Sequence, residues 1–368
     1  MGYHRARLRM TTLRALLGIE IPVIQAPMAG AQGSALAAAV SNAGGLGSLP
    51  CATLTTAALR SEISSLKRQT SKPFNVNFFC HAPPAADAAR DAAWRARLSP
   101  YYRAFGLEFD AASGGPQRTP FGHAEAELLC EMRPAPAVVS FHFGLPSADL
   151  LTRIRALGSR VISSATTIEE ARWLEARGVD AIIAQGLEAG GHRGMFLSDD
   201  LTTQMGTFAL LPQIVRAVKT PVIAAGGIAD SQGVAAAMAL GAQAVQVGTA
   251  YLLCPEATTS PVHRAALKGE QARHTALTNL FTGRPARGIV NRLMTELGAM
   301  SEVPAFPLAA AAVAPLRARA ESAGNGDFSP LWAGQNACGC REVSAATLTR
   351  QLIAGIVTVT LTPPDSAS

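Results

Sequence analysis

Short apolar runs separated by helix-like segments recur through the first two-thirds of the 368-residue chain. Uninterrupted apolar runs of this length are typical of parallel strands that other elements cover on both faces. Most of them are followed by Gly, Pro or a small polar residue, and such residues commonly end a strand. The eight predicted strands are Ile21–Ala26, Gly45–Leu49, Phe74–Phe79, Ala137–Phe143, Arg160–Ser164, Asp180–Gln185, Pro221–Ala225 and Ala244–Val247.

Helical patterns lie between several of these runs. The segment from Thr167 opens with a capping residue and ends at Gly178, and the segment Ser231–Leu240 ends at Gly241. About eight strand–helix cycles predict an α/β fold, a (β/α)8 TIM barrel. A doubly wound open sheet is the alternative, because counting strands does not establish closure.

Two stretches interrupt this rhythm and suggest the domain organisation. We predict a barrel over residues 13–251, carrying a long Pro/Ala/Arg-rich insert over 80–136. Residues 252–341 read as a smaller helical domain over the barrel mouth, and residues 342–362 as a C-terminal helix returning to the barrel.

Composition and charge narrow the possible partners. The chain is 48% hydrophobic, and its net charge of +6 is spread without a dense basic block, so we expect no nucleic-acid partner. No apolar run is long enough to cross a bilayer, and no signal peptide is recognised, so we expect no membrane partner. Six scattered cysteines favour reduced thiols and a cytoplasmic protein.

A glycine-rich loop carries the strongest candidate catalytic residue. Residues 185–194, Gln-Gly-Leu-Glu-Ala-Gly-Gly-His-Arg-Gly, directly follow a predicted strand, where barrel side chains reach the catalytic face. His192 can act there near neutral pH as a base or hydrogen-bond donor. A surface loop with an incidental histidine is the alternative.

Two later turns predict a phosphate site. One strand ends on Gly226 and Gly227, and the next ends on Gly248 and Thr249. Loops after the seventh and eighth barrel strands commonly bind phosphate through backbone N–H groups, and a Cβ would obstruct the approach. Two such turns in consecutive units favour a phosphate-bearing ligand over ordinary tight turns.

Other polar residues at strand ends are weaker candidates. The end of the first strand, with Met28, can form a flat wall behind a planar ring. Asn77 and His142 are polar groups in apolar strands, so each either contacts a ligand or is satisfied by a neighbouring loop. P-loop, zinc-protease and nucleophile-elbow motifs are missing. His81, His142 and His192 lack carboxylate or cysteine partners at a recognisable spacing, so we predict no metal site.

The motifs taken together resemble the FMN-dependent nitronate monooxygenases of the bacterial-type class I, formerly called 2-nitropropane dioxygenases. The resemblance extends from about Leu13 to Ile356. The segments that show this resemblance are, in chain order, Ile24–Gly30, Ser140–Pro146, Gln185–Gly194, Ala224–Ile228, Gln246–Thr249, Thr282–Arg287 and Ala333–Gln335.

The resemblance implies FMN in the barrel mouth. Gly227, Gly248 and Thr249 would serve its phosphate, and Gln185 would hydrogen-bond its ring or ribityl chain. The implied cofactor contacts are Ala26, Pro27, Met28, Asn77, Gln185, Gly190, Gly191, Gly226, Gly227, Gln246, Val247, Gly248 and Thr249.

The resemblance also implies the reaction. An alkyl nitronate, propionate 3-nitronate in type, would be oxidised by O2 to a carbonyl compound and nitrite in a monomer or homodimer. His192 would be the catalytic histidine, either protonated and holding the anionic nitronate or neutral and removing the α-proton of a nitroalkane. His142 would line the substrate pocket.

The number of tyrosines is one difference between this chain and the family that it resembles. Relatives often place tyrosines around the nitronate, whereas this chain has four in all. His263 and Phe306 occupy two regions where tyrosines are expected, and Tyr101 and Tyr102 of the insert could supply the phenols.

Three other functions stay open on the sequence. The nearest is an NAD(P)H-dependent FMN reductase of quinones or enoyl thioesters on the same barrel. The others are a nucleotide enzyme without flavin and a ligand-binding barrel without activity.

Overall fold

The computed structural model describes residues 13–109 and 118–354. Eight parallel strands form one sheet. They are β1 (Val23–Gln25), β2 (Gly47–Pro50), β3 (Phe74–Phe79), β4 (Val138–His142), β5 (Arg160–Ala165), β6 (Ala181–Gln185), β8 (Val222–Ala225) and β9 (Ala244–Val247). Their order in the sheet is β1-β9-β8-β6-β5-β4-β3-β2. All eight predicted strands are confirmed.

The sheet closes into a barrel because its two end strands, β1 and β2, are joined by hydrogen bonds. The Gln25 amide donates to the Leu46 carbonyl oxygen and the Leu46 amide to the Val23 carbonyl oxygen, each at 2.9 Å. This closure confirms the TIM barrel and excludes the open sheet. Alternate residues of the strands point to opposite sides: Ile183 packs inside the barrel, whereas Ile182 packs beneath the outer helices.

Helices surround the barrel, and the helix after Thr167 begins at the capping residue expected from the sequence. Thr167 accepts a hydrogen bond from the Glu170 amide at 3.2 Å, and Asp230 accepts one from Gly233 at 2.8 Å. The α-helices between residues 34 and 239 are α1 (Ser34–Asn42), α2 (Thr56–Gln69), α3 (Ala88–Phe105), α4 (His123–Glu131), α5 (Ala148–Ala156), α6 (Ile168–Ala176), α7 (Thr207–Ala217) and α8 (Ser231–Ala239).

Residues 252–341 contain two short strands in addition to the helices and loops that the sequence predicted there. A three-stranded antiparallel sheet has the order β10-β11-β7, in which β7 belongs to the glycine-rich loop. Its strands are too short to show an alternating pattern, and their pairing joins distant parts of the chain. The elements are β7 (Gly191–His192), α9 (Pro261–Lys268), β10 (Thr275–Thr278), β11 (Ala286–Ile289), α10 (Arg292–Leu297) and α11 (Ala309–Ser322).

The insert helix α3 packs against α11 rather than only against the barrel. The Trp94 indole N–H donates to the Ala309 carbonyl oxygen at 3.3 Å, and the Tyr102 hydroxyl donates to the Ala312 carbonyl oxygen at 2.7 Å. The insert and the later segment therefore share one hydrophobic cluster. The domain boundaries at residues 251 and 341 stay a prediction.

The last described helix, α12 (Ala345–Leu352), lies against the barrel. The hydroxyls of Thr349 and Tyr251 are 2.8 Å apart, and the Ala345 amide donates to the Glu256 carboxylate at 3.1 Å. The rest of the predicted segment, residues 355–362, lies outside the described residues. Over the two described ranges, no helix combines the length and apolar character needed to cross a membrane.

Candidate active site

A cavity of about 400 Å³ opens at the carboxyl ends of the barrel strands. It collects nearly all of the residues that the sequence predicted for the site. Its lining includes Ala26, Pro27, Met28, Asn77, His142, Gln185, Gly190, Gly191, His192, Gly226, Gly227, Gln246, Gly248 and Thr249.

Val247 is the exception among the predicted contacts. Its side chain is 1% exposed and lies in the hydrophobic core between the strands and the outer helices. Strand alternation gives the reason, because Gln246 faces the cavity and the side chain of its neighbour must therefore face away; a contact of Val247 with the cofactor stays a prediction. The backbone carbonyl of Val247 also accepts the Ala26 amide at 2.8 Å.

Bare backbone forms one end of the cavity. Gly226 and Gly227 have φ angles of 116° and 73°, which side chains rarely adopt, so glycine is needed at both positions of this turn. The Gly334 amide donates to the Thr249 hydroxyl at 2.9 Å, and the Asn336 amide donates to the Gly227 carbonyl oxygen at 3.0 Å. These contacts join the two glycine turns to a later segment, and a phosphate can approach the backbone here.

The glycine-rich loop is fixed by buried hydrogen bonds. The Gln185 side chain donates to the His192 carbonyl oxygen at 2.9 Å and accepts the Gly194 amide at 2.7 Å. The fully buried Arg193 donates to the backbone oxygens of Gln185 and Gly186, each at 2.7 Å. Gln185 therefore lines the cavity as predicted, but much of its hydrogen-bonding capacity holds the loop.

His192 lies in the cavity on strand β7. Its Nε2 is 2.9 Å from the Thr282 hydroxyl, and its ring lies 5.3 Å from Phe306 and 5.6 Å from Trp332 between centroids. Burial, together with the positive charge of Arg118, lowers the pKa of His192 well below 6.5. The imidazole is therefore neutral at pH 7, which disfavours the predicted protonated form and favours the alternative of a neutral histidine.

His142 supports the same loop from strand β4. Its Nδ1 is 2.7 Å from the Ser164 hydroxyl, and its Nε2 is 3.2 Å from the His192 carbonyl oxygen. A carbonyl only accepts, so the ring proton lies on Nε2. Burial lowers the pKa of His142 to about 4, and the ring is neutral. His142 thus lines the cavity and also positions His192.

Two amide side chains leave acceptors for a ligand. Both hydrogen bonds that Asn77 donates go to Ser140, at 2.9 and 3.3 Å, which leaves its Oδ1 as an acceptor. Gln246 lines the cavity, and its buried Oε1 has no hydrogen-bond partner among the described residues. Buried polar atoms are rarely left unsatisfied, so this oxygen indicates a ligand with a donor group. Together with the glycine cradle, the residues present fit a flavin nucleotide.

The tyrosines of the insert do not reach the cavity, so the predicted phenols are absent from it among the described residues. Tyr101 and Tyr102 are buried in the cluster between α3 and α11 instead. His263 lines the cavity, and its buried Nε2 has no partner in the described chain. Phe306 contributes an aromatic surface beside His192.

Several lining residues were missed from the sequence. Arg118 enters from the insert, and Arg317 projects from α11. Glu188 accepts the Thr207 amide at the start of α7, at 2.8 Å to one carboxylate oxygen. Glu188 and Gly334 had a signal, since each falls in a segment that resembles the known family. Arg118 and Arg317 have no local motif, because long-range packing brings them to the cavity.

Comparisons with known proteins agree with this geometry. A family model described as nitronate monooxygenase matches residues 10–355. A nitronate monooxygenase of Paraburkholderia phytofirmans is 46% identical over 92% of this chain and 93% of its own, and one of Pseudomonas aeruginosa is 45% identical over 92% and 97%. A nitroalkane oxidase structure from Streptomyces ansochromogenes has a TM-score of 0.85 and 39% identity, covering 95% of this chain and 98% of that one.

Proposed function

Because the chain belongs to the nitronate monooxygenase family of flavin-dependent oxidoreductases, we propose that it binds FMN and oxidises alkyl nitronates of the propionate 3-nitronate type. The co-substrate would be O2, and the products a carbonyl compound and nitrite. The observation that carries this proposal is one cavity that holds both a glycine phosphate cradle and a buried, neutral histidine.

The FMN site would extend from the cradle to the end of β1. Gly227, Gly248 and Thr249 would hold the phosphate, and the residues around Met28 would form the wall behind the ring. The Oε1 of Gln246 would gain the hydrogen-bond partner that it lacks. When bound, FMN would supply the redox chemistry that side chains cannot provide.

His192 would orient the substrate. One ring nitrogen is engaged by Thr282, so Nδ1 is the nitrogen available to a substrate. As a neutral base it could remove the α-proton of a nitroalkane, and with a proton on Nδ1 it could donate to a nitronate oxygen. The hydrogen bonds from Gln185 and His142 to its backbone would keep the ring in place.

The surroundings of His192 would exclude water and attract an anion. The rings of Phe79, Phe143, Phe306 and Trp332 lie within 6.2 Å of the imidazole between centroids. Arg118 and Arg284 place positive charge close enough to depress the pKa of His192. A nitronate anion would be stabilised by the same field, because attraction between opposite charges strengthens away from water.

The test measures oxygen uptake and nitrite release with propionate 3-nitronate. We expect His192→Asn to lower kcat/KM by about 10- to 100-fold while the flavin stays bound, the usual cost of losing a hydrogen bond to a charged group, because a nitronate has already lost its α-proton. His274→Gln, at an exposed position directly before β10, is the matched control and should keep full activity. Equal activity of the His192 variant and the wild type, or turnover of NADPH with a quinone in place of nitronate, would contradict the proposal.

A further inference from the structure

Arg118 is a cation inside the cavity with unused donors. Its Nε and Nη1 atoms are buried, and neither has a hydrogen-bond partner among the described residues. Its backbone carbonyl accepts His81 Nε2 at 2.9 Å, which fixes the chain at this point. The guanidinium carbon lies 5.6 Å from the centre of the Phe306 ring. A buried guanidinium with free N–H groups is unfavourable unless a ligand pairs with it.

The other arginines around the cavity are already engaged. Arg317 forms a 2.8 Å ion pair with Glu321 and keeps 45% of its side chain exposed. Arg284 donates to the Met195 carbonyl oxygen and stacks 4.1 Å from the Phe143 ring centre. Arg118 differs from its neighbours in leaving two buried donor atoms, Nε and Nη1, without a partner in the described chain, whereas Arg284 leaves its Nε alone.

No acidic side chain in the described part of the cavity wall is free to pair with Arg118. Glu188 is the carboxylate that lines the cavity, and it is held by the amide and hydroxyl of Thr207. Burial and the charge of Arg317 both lower the pKa of Arg118, and no carboxylate of the described residues opposes them. The described residues therefore supply no anion for Arg118, and an anionic ligand would fill that role.

The position of Arg118 suits the distal end of a short substrate. Arg118 and His192 line the same cavity, and the Phe306 ring is near both, 5.3 Å from the His192 ring and 5.6 Å from the guanidinium carbon. A substrate whose nitronate group contacts His192 would thus place a group a few bonds away near Arg118. Carboxylate oxygens only accept hydrogen bonds and match a guanidinium.

We propose that Arg118 binds the carboxylate of a nitronate that carries a second negative charge, and so determines a preference for carboxylate-bearing nitronates over simple alkyl nitronates. This specificity role rests on the proposed function of the same cavity.

The test compares two substrates in matched variants. Propionate 3-nitronate carries the carboxylate, and butyl 1-nitronate has an uncharged tail of similar length. We expect Arg118→Met to raise the KM for propionate 3-nitronate by about 10- to 100-fold, the usual cost of a lost charged hydrogen bond, and to change kcat/KM for butyl 1-nitronate by less than about threefold. Arg118→Lys keeps the charge and should lie between the wild type and Arg118→Met.

Arg97→Met is the control for damage to the insert. Arg97 is on α3 and donates to the Leu297 carbonyl oxygen away from the cavity, so its loss should leave both KM values unchanged. An equal loss with both substrates in Arg118→Met, or a preference that persists without Arg118, would overturn the proposal.

A binding titration separates this inference from the proposed reaction. Trp332 lines the cavity, so its fluorescence reports occupancy without turnover. The carboxylate 3-nitropropionate should bind the wild type about 10-fold or more tightly than it binds Arg118→Met, and 1-nitrobutane should not distinguish them. If the wild type oxidises neither nitronate, the proposed function fails, yet this titration still decides whether Arg118 holds a carboxylate; equal binding of 3-nitropropionate to both proteins would refute it.

Discussion

His142 makes the stability of the protein sensitive to acid. Burial lowers its pKa from 6.5 to about 4, and both ring nitrogens are engaged, by Ser164 and by the His192 carbonyl. Between these pH values the unfolded chain binds a proton that the folded protein excludes. The stability that neutral His142 contributes is therefore complete above about pH 7 and is lost as the pH falls from 6.5 towards 4.

The size of this loss follows from the two pKa values. It amounts to roughly 3 kcal/mol once the pH is below both, and about 2 kcal/mol by pH 5. His142→Gln removes the titration and keeps an amide N–H for the His192 carbonyl oxygen. We expect the wild type to lose about 2 kcal/mol more than this variant between about pH 7.5 and about pH 5.

Urea unfolding at a fixed excess of FMN measures the difference, since a ligand that binds the folded state shifts the apparent stability. His123→Gln, at an exposed surface position, is the control and should follow the wild type. Parallel pH dependence in the wild type and His142→Gln would refute the assignment of a buried neutral His142. The pKa of His263 is also lowered to about 4, so its protonation should likewise reduce the stability of the folded protein as the pH falls from 6.5 towards 4.

Three further changes test separate parts of the site. Gly190→Ala places a Cβ 2.6 Å from the backbone of Ala333 and Gly334, so FMN should bind at least about 10-fold more weakly by fluorescence titration, whereas Gly122→Ala should not alter binding. Val247→Ala should cost about 2 kcal/mol in urea unfolding and leave FMN affinity unchanged, and weaker FMN binding would restore Val247 to the cofactor site. Because the pKa of His192 is far below 6.5, turnover of neutral nitroethane should not fall between about pH 8 and about pH 6; a lack of turnover would remove the base role.

The barrel could be predicted because each strand carries its own signal. Runs such as Phe74–Phe79 and Ala181–Gln185 are mainly apolar, as strands buried on both faces must be. The glycine turns and His192 were also accessible, since strand ends of a barrel share one face. Tyr101 and Tyr102 could have been assigned to a core, because with Trp94 and Leu98 they follow helical spacing along one buried face.

The rest depends on contacts between distant segments. β10 and β11 have four residues each, and β11 pairs with β7 almost a hundred positions earlier, which no local pattern indicates. Arg118 lies in a sequence rich in Gly, Pro and polar residues, which is typical of a surface loop. Likewise, the neutral state of His192 arises from burial and nearby arginines, and neither can be derived from its loop sequence.

The most direct test of the central claim is the absorbance spectrum of the purified protein under anaerobic conditions, before and after propionate 3-nitronate is added. We expect a visible flavin band that changes on addition of the nitronate and stays unchanged with NADH or NADPH. A flavin band that does not change with the nitronate but is bleached by NADH or NADPH would indicate a reductase on the same barrel. A colourless protein that binds no FMN would contradict the cofactor assignment.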